Sequence, residues 1–354
     1  MSFPKPQPAA IPFARAYAPP AQLRDEIRRL HGTSLPRSVA TAAADHAAIL
    51  VLITLTLGSY RLLVTRGALP APLALLLAAT VAVLSLIGIG RFQRGLECLV
   101  HEASHNNWDR RHPGRNDRVA AVLAAAPVIS TVRQYRVGHF VHHRKLGTRE
   151  DPDLERYLAL DVEALDRTSG IRFALGIARR LPRYLVGWWG AIGTNRMTVL
   201  KSLAWHGLVI VLPVALLAGP LWALAVWADW LAGFVIALPV IRFIGEAGEH
   251  KYVGAETLFD ATMVNDGRIH RLLIHPHNDS YHLTHHLWPG VPHHQLRKLH
   301  RLLEQHDPEG YAQRIRRRTR ILEEPPPSPH RLPEPADQRR SPRPVVGNVA
   351  TRLG

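Results

Sequence analysis

Long apolar runs alternate with polar stretches along this chain. The length of each apolar run decides whether it is long enough for a transmembrane helix. Residues 39–60 and 68–90 are two such runs, and the second contains no charged residue. A helix of about 20 apolar residues crosses the hydrocarbon core of a bilayer, which is roughly 30 Å thick. Residues 203–218 and 221–241 form a second pair on either side of a Gly-Pro dipeptide, which favours a turn. The pattern therefore predicts four transmembrane helices in two hairpins.

The remaining segments are polar or too short to cross a membrane. Residues 1–38 form a proline-punctuated N-terminal segment without the apolar core of a cleavable signal peptide. Residues 119–132 are apolar but short, which favours an interfacial or re-entrant segment. Residues 39–300 are expected to form the membrane domain, and residues 301–354 a basic, Pro/Arg-rich tail that is largely disordered. We therefore expect an all-α integral membrane protein whose polar segments form a cytoplasmic helical cap.

The net charge of +16 raises nucleic-acid binding as a possible function. The distribution of the charge argues against it, because the basic residues flank the apolar runs and fill the C-terminal tail. This distribution is typical of a membrane protein with a positive cytoplasmic side. We therefore expect no nucleic-acid partner, and we expect both termini and the polar cap to lie in the cytoplasm.

Eight histidines fall into three short clusters that lie between or after the apolar runs. These clusters are His101 and His105; His139, His142 and His143; and His282, His285 and His286. Spacings of three and four residues place two side chains of each cluster on one face of a helix. Imidazole suits iron, zinc, copper or nickel, and eight such ligands exceed what one ion holds. Because Cys98 is the only cysteine, a thiolate cage is excluded, and the sequence predicts a two-metal site with N and O ligands.

The first cluster, His101-Glu-Ala-Ser-His105, also matches a zinc-protease motif. In that motif two histidines bind zinc and the glutamate, here Glu102, acts as the general base. Such a protease needs one further ligand, so it would leave most of the other histidines unexplained. An intramembrane zinc metalloprotease and a non-catalytic metal-binding membrane protein remain the alternatives from other functional classes.

The order of these features resembles the membrane fatty acid desaturase family and its di-iron hydroxylase and ketolase relatives. Three stretches carry the resemblance, which extends over residues 49–300: HEASHNNWDRRHPGRND, FVHHRKLGTREDPD and HNDSYHLTHHLWPGVPHHQL. The resemblance implies two iron ions, O2 and a bacterial inner membrane. It also implies insertion of a double bond into a fatty acyl chain, with hydroxylation or ketolation of a lipid or carotenoid as the alternative within the superfamily.

The family usually supplies one more ligand between the second hairpin and the last cluster, and His250 occupies that position. Other polar residues beside the clusters are candidates for orienting the ligands, namely Glu102, Asp151, Asp153, Glu246, Glu249, His277 and Asn278, of which Glu102, Asp153, Glu246 and Asn278 are the preferred set. For several residues near the motifs, the alternative to orienting a ligand is an ordinary structural role in a turn, on a helix face or in a capped loop. These are Asp151, Asp153, Glu246, Glu249, Asn265, Asp266, His275, His277 and Asn278.

The resemblance also implies two kinds of partner besides the membrane, a lipid or acyl substrate and a separate protein that donates electrons. A set of basic residues fits either an acidic, ferredoxin-like donor or anionic lipid headgroups. The set comprises Arg110, Arg111, Arg115, Arg118, Arg144 and Lys145. The sequence does not favour one of these two partners over the other.

Overall fold

The computed structural model describes residues 5–67, 69–193, 195–326 and 328, and the described part is mainly helical. Twelve helices are numbered here in chain order. They are α1 (Arg24–Leu30), α2 (Leu35–Thr65), α3 (Ala71–Ser104), α4 (Pro113–Ala120), α5 (Val132–Lys145), α6 (Pro152–Leu160), α7 (Gly170–Gly193), α8 (Arg196–Ala218), α9 (Pro220–Glu249), α10 (Leu258–Ala261), α11 (His282–Leu287) and α12 (His293–His306). Two-residue strands, β1 (Met263–Val264) and β2 (Arg316–Arg317), pair in parallel.

Four helices, α2, α3, α8 and α9, are long and apolar enough to cross a membrane, as the four apolar runs predict. Each is longer than the run that predicted it. Helix α3 has 34 residues, or about 51 Å at 1.5 Å per residue, which exceeds the bilayer core. Its last residues, from Gln93 to Ser104, are buried in the protein. The first histidine cluster therefore begins on the polar extension of an apolar helix.

Helices α3 and α9 approach each other closely at Gly90. A Cβ atom added at Gly90 would lie 2.5 Å from the Cβ of Ala237 and 2.7 Å from the backbone nitrogen of Leu238. Contacts this short are not tolerated, so even alanine at Gly90 would force the two helices apart. Because α3 and α9 lead to His101 and to His250, their spacing also sets the distance between two parts of the histidine site.

Replacing Gly90 with alanine is expected to destabilise the protein by about 1–3 kcal/mol, the usual cost of overpacking. Gly58, in α2, provides the matched control because a Cβ there meets nothing within 4 Å. Alanine at Gly58 is expected to stabilise the helix by roughly 0.5–1 kcal/mol. Thermal unfolding of both variants in lipid nanodiscs measures the two expected changes in stability. Equal unfolding temperatures would show that the helices do not meet as described.

The folded part extends beyond the predicted boundary at residue 300. Leu303 and Tyr311 are fully buried, and β2 pairs with β1. Near the other terminus, Ile27 of α1 is buried in the same core. Residues 301–326 therefore belong to the folded body, whereas the predicted disorder beyond residue 328 falls outside the described residues.

The apolar segment at residues 119–132 does not form a long helix. It continues from α4 through a wide helical turn, Ala121–Ala125, and a 3-10 turn, Ala126–Val128, which ends at Ile129 with a φ of 52°. Ala124 and Ala125 pack into the apolar core that also contains residues of α2, α3 and α9.

Candidate metal centre

Four parts of the chain bring nine histidines together. The end of α3 carries His101 and is followed by His105, α5 carries the second cluster, α11 carries the third, and His250 follows α9. They form two groups, and within each group one side-chain nitrogen from every histidine lies within 4.8 Å of those from the others. One group comprises His101, His105, His139, His143 and His285, and the other comprises His142, His250, His282 and His286. All three predicted clusters and His250 therefore meet in one region.

The five-histidine group joins three helices through its Nε2 atoms. The Nε2 atom of His285 lies 2.9 Å from that of His101 and 3.0 Å from that of His143. The Nε2 atom of His139 lies 2.9 Å from those of His105 and His143. His101 and His285 are buried, while the other three are partly exposed.

All members of the four-histidine group are buried. The Nε2 atom of His282 lies 3.1 Å from that of His250 and 3.3 Å from that of His286. The Nε2 atom of His142 lies 3.4 Å from that of His286. Neighbouring residues of α5, His142 and His143, contribute to different groups, so the two groups are adjacent.

Burial keeps most of these imidazoles neutral. Burial, helped by repulsion from neighbouring imidazoles, lowers the pKa of six of them well below the usual value, and it lowers the pKa of His250 to about 4. The six are His105, His139, His143, His282, His285 and His286. Neutral imidazole is the form that binds a metal. Closely spaced neutral imidazole nitrogens are a chemical fit for metal cations.

His142 differs because two carboxylates face it. Burial acts to lower its pKa, but Asp153 and Asp151 raise it overall. The Nδ1 atom of His142 lies 2.8 Å from Oδ1 of Asp151 and 3.6 Å from Oδ2 of Asp153. Asp151 is 1% exposed and also accepts hydrogen bonds from backbone N–H groups and from Tyr252. These contacts fix the ring of His142 so that its Nε2 faces the other members of the four-histidine group.

The other predicted orienting residues have different neighbours. Glu102 accepts hydrogen bonds from Asn107 and from the backbone N–H of His293. Asn278 donates to the carbonyl of His293. The carboxylate of Glu246 pairs with Arg242 and Arg156. These three predicted residues therefore make their described polar contacts outside the two histidine groups.

Sequence reasoning missed a second carboxylate. Oδ1 of Asp279 lies 3.6 Å from Nδ1 of His101, and its Oδ2 accepts a hydrogen bond from Arg94 at 3.1 Å. The missed signal for Arg94 was its position on α3, seven residues before His101 and hence on the same helix face. For Asp279 the signal was weaker, because it lies in a polar loop just before the third cluster.

Two neighbouring cavities lie near the site, and of these two only the inner one is lined by histidines. The inner cavity, of about 340 Å³, is lined by His101, His139, His142 and His282 together with Tyr135. The outer cavity, of about 490 Å³, lies between α6, α7 and α9, and Leu160, Val186 and Trp188 are among its lining residues. Cavities of this size are typical of small-molecule sites.

Sequence comparison with known proteins identifies a family whose matched region contains all nine histidines. The sequence profile of the family described as fatty acid desaturase matches residues 70–318, a range that includes all nine histidines. The chain belongs to the fatty acid desaturase family. This desaturase sequence is also 28% identical over 252 residues to dihydrorhizobitoxine desaturase from Bradyrhizobium elkanii, which covers 65% of this chain and 69% of the relative.

Membership in the desaturase family has direct consequences for the site. The family is known for its use of iron, and the two histidine groups could bind metal. The protein is therefore a desaturase-like oxidoreductase with apolar helices that associate with membranes.

Proposed function

We propose that the protein is an integral-membrane di-iron desaturase that introduces a double bond into a fatty acyl chain. The observation that carries this proposal is the meeting of nine histidines in two adjacent groups, three of them at or just beyond the ends of the apolar helices α3 and α9. His101, His105, His139, His143 and His285 would hold one iron ion. His142, His250, His282 and His286 would hold the other.

When bound, two iron ions would supply O2 activation and abstraction of hydrogen from an unactivated C–H bond. The chain itself orients the imidazoles through Asp151 and Asp279, because each carboxylate faces the Nδ1 atom of one proposed ligand. The backbone carbonyl of Ala261 does the same for His250, at 3.2 Å from its Nδ1. All four histidines that would hold the second iron ion are buried.

The surroundings of the proposed centre agree with an aliphatic substrate. The inner cavity brings a bound molecule against His101 and His142, and the outer cavity offers apolar side chains for a chain beyond the reacting carbon. We propose that the substrate comes from the inner membrane of a bacterium. A separate, ferredoxin-like protein would deliver electrons on the cytoplasmic side.

Expression of the full chain in a heterologous bacterium tests the proposal. Purified protein is expected to contain iron, and mass spectrometry of host lipids is expected to show acyl chains that have lost two hydrogens. Since the relative from Bradyrhizobium elkanii is named for dihydrorhizobitoxine, small metabolites are profiled in parallel. Iron-loaded protein that changes neither lipids nor metabolites would contradict the proposal.

Hydroxylation or ketolation is the second candidate reaction. It would add oxygen to a lipid or carotenoid, a change that the same mass spectra detect. The name of the relative favours desaturation.

A zinc protease is less well supported. Glu102, its required base, is engaged by Asn107 and by His293, while His101 and His105 lie among three further histidines. Metal analysis that finds one zinc ion per chain and no iron would favour the zinc protease over the desaturase.

A further inference from the structure

The outer cavity opens at the protein surface between α6 and α7. Among its lining residues, Ala159 of α6 and Val186 and Gly187 of α7 are exposed. This opening, formed by Ala159, Val186 and Gly187, is called the mouth here. On its other side the outer cavity borders the inner cavity, because Pro152 and Ala191 line both. The outer cavity therefore lies between the protein surface and the cavity that the histidines line.

The boundary between the two cavities carries charged side chains that already have partners. Arg156, Arg242 and Glu246 line both cavities. Arg242 donates hydrogen bonds to Glu246 at 2.8 Å and to Glu97 at 2.9 Å. Arg156 donates to Asp153 at 2.7 Å. Because each arginine is paired with a carboxylate, the boundary does not require a charged ligand and leaves the route open to an uncharged aliphatic chain.

Contacts between α7 and α9 give the depth of the mouth relative to the membrane. Tyr184 stacks on Phe243 with ring centroids 4.6 Å apart, and the centroid of Trp188 lies 5.2 Å from that of Phe234. The mouth residues of α7 lie between these two positions in sequence. The apolar run of α9, which ends at residue 241, also ends between the two contacts, and Ile236 within it is 55% exposed. The mouth therefore lies where α9 passes from its polar end into its apolar run.

The exposed side of α7 has the composition of a helix at a membrane surface. Ile171 and Val186 are 76% and 75% exposed, and Leu175 is exposed as well. At about 100° per residue, these three side chains lie within about 60° of one another around the helix. The adjacent strip of the helix carries exposed arginines, namely Arg172, Arg179 and Arg183. An apolar stripe beside a basic strip is typical of a helix that lies in the membrane interface.

Gly187 leaves the mouth wide. A Cβ atom added at Gly187 would meet nothing within 4 Å, so a larger side chain there occupies space at the mouth without displacing protein atoms. Gly190, three residues further along α7, is also exposed and has the same free space around an added Cβ. It is not among the residues that line either cavity. The two glycines therefore differ in their relation to the mouth and match in their local surroundings.

We propose that the outer cavity is the entrance through which an aliphatic substrate passes from the bilayer to the histidines. This inference rests on the proposed desaturase function and deepens it, because it names the membrane as the direct source of the substrate. The apolar stripe of α7 places the mouth against lipid. An aliphatic chain enters beside Val186 and Gly187 and passes the paired side chains at the boundary into the inner cavity.

Fluorescence quenching tests whether the mouth faces lipid. Gly187→Cys in the full chain is labelled with a thiol-reactive fluorophore in nanodiscs, and the native Cys98 is buried. Brominated phospholipids are expected to remove most of the fluorescence, whereas iodide in the buffer removes little. A label at Asp25→Cys is the control, because the side chain of Asp25 is 80% exposed on the polar helix α1. It should respond to iodide and not to the lipids. The reverse result at Gly187 would overturn the entrance from the bilayer.

Blocking the mouth tests whether it is the route. Doxyl-labelled nonadecane, an uncharged aliphatic probe dissolved in the nanodisc bilayer, is expected to show an immobilised component in its electron paramagnetic resonance spectrum. Gly187→Trp should remove most of the part of this component that comes from the cavity, while Gly190→Trp should leave the spectrum unchanged. Equal spectra for the two variants would overturn the entrance.

Lipid profiles of expression hosts separate this inference from the proposed function. Gly187→Trp is expected to lose most of its double-bond formation at unchanged iron content, and Gly190→Trp to retain it. Double bonds formed at the wild-type rate by Gly187→Trp would leave the desaturase in place and remove the entrance. Probe binding that follows the variants, in a protein that forms no double bond, would support the entrance and remove the desaturase.

Discussion

Replacing His285 with alanine is expected to abolish desaturation, with a loss of activity of at least ~100-fold. Its Nε2 connects α11 to α3 and to α5 through His101 and His143. Loss of groups that only orient metal ligands already costs about 10–100-fold, so loss of a proposed ligand should cost more. The iron bound per chain should fall as well. Membrane insertion should be unchanged, because His285 lies outside the four apolar helices.

Iron analysis of purified protein and lipid profiling of the expression host check this result. His306→Ala is the control, since His306 is an exposed histidine at the end of α12 and lies outside both groups. It should keep wild-type iron content and activity. Full activity of the His285 variant would remove this residue from the proposed ligand set.

Asp151→Asn is expected to weaken metal binding by about 10–100-fold while the chain remains folded. The substitution keeps the size of a buried side chain but removes the negative charge that faces Nδ1 of His142. An amide can present its NH2 group to that nitrogen, which favours the wrong tautomer of the imidazole. The four-histidine group should therefore be affected more than the five-histidine group.

Competition for iron with a chelator of known affinity measures the effect of Asp151→Asn. Asp166→Asn is the control, because Asp166 binds Thr168 and Arg172 and belongs to neither histidine group. Equal iron affinities in the two variants would mean that Asp151 supports the surrounding turn and does not tune His142.

The resemblance to the desaturase family supplied the ninth histidine, His250, whereas residue pattern alone predicted the four apolar helices and the other eight histidines that meet. Both depend on local information, namely run length and spacings of three or four residues. The pattern could not distinguish the two carboxylates of the Asp-Pro-Asp sequence. Asp153 was the preferred orienting residue, yet the structure gives the short contact with His142 to Asp151, because Asp151 caps α6 with its side chain directed back toward α5.

The C-terminal boundary was missed for a different reason. The basic, Pro/Arg-rich composition of residues 301–354 predicted a largely disordered tail, but Arg314, Arg316 and Arg318 are buried. Arg316 donates to the backbone carbonyl of Asp260 and Arg318 to that of Gly248. Composition cannot reveal such contacts, because the acceptors are main-chain atoms more than fifty residues away. The contact between Asp279 and Arg94 was not predicted for the same reason, because 185 residues separate the two along the chain.

The positions of the histidines along the chain have a consequence for how the protein holds together. His101 and His285 are 184 residues apart, and His142 and His286 are 144 residues apart. Metal ions bound by these residues would act as cross-links that close very long loops, and closing a long loop restricts the unfolded chain most. With Cys98 as its only cysteine, the chain cannot form an internal disulfide. Its two metal ions would therefore take over the role that disulfides play in secreted proteins, so that loss of metal would also remove the cross-links of the fold.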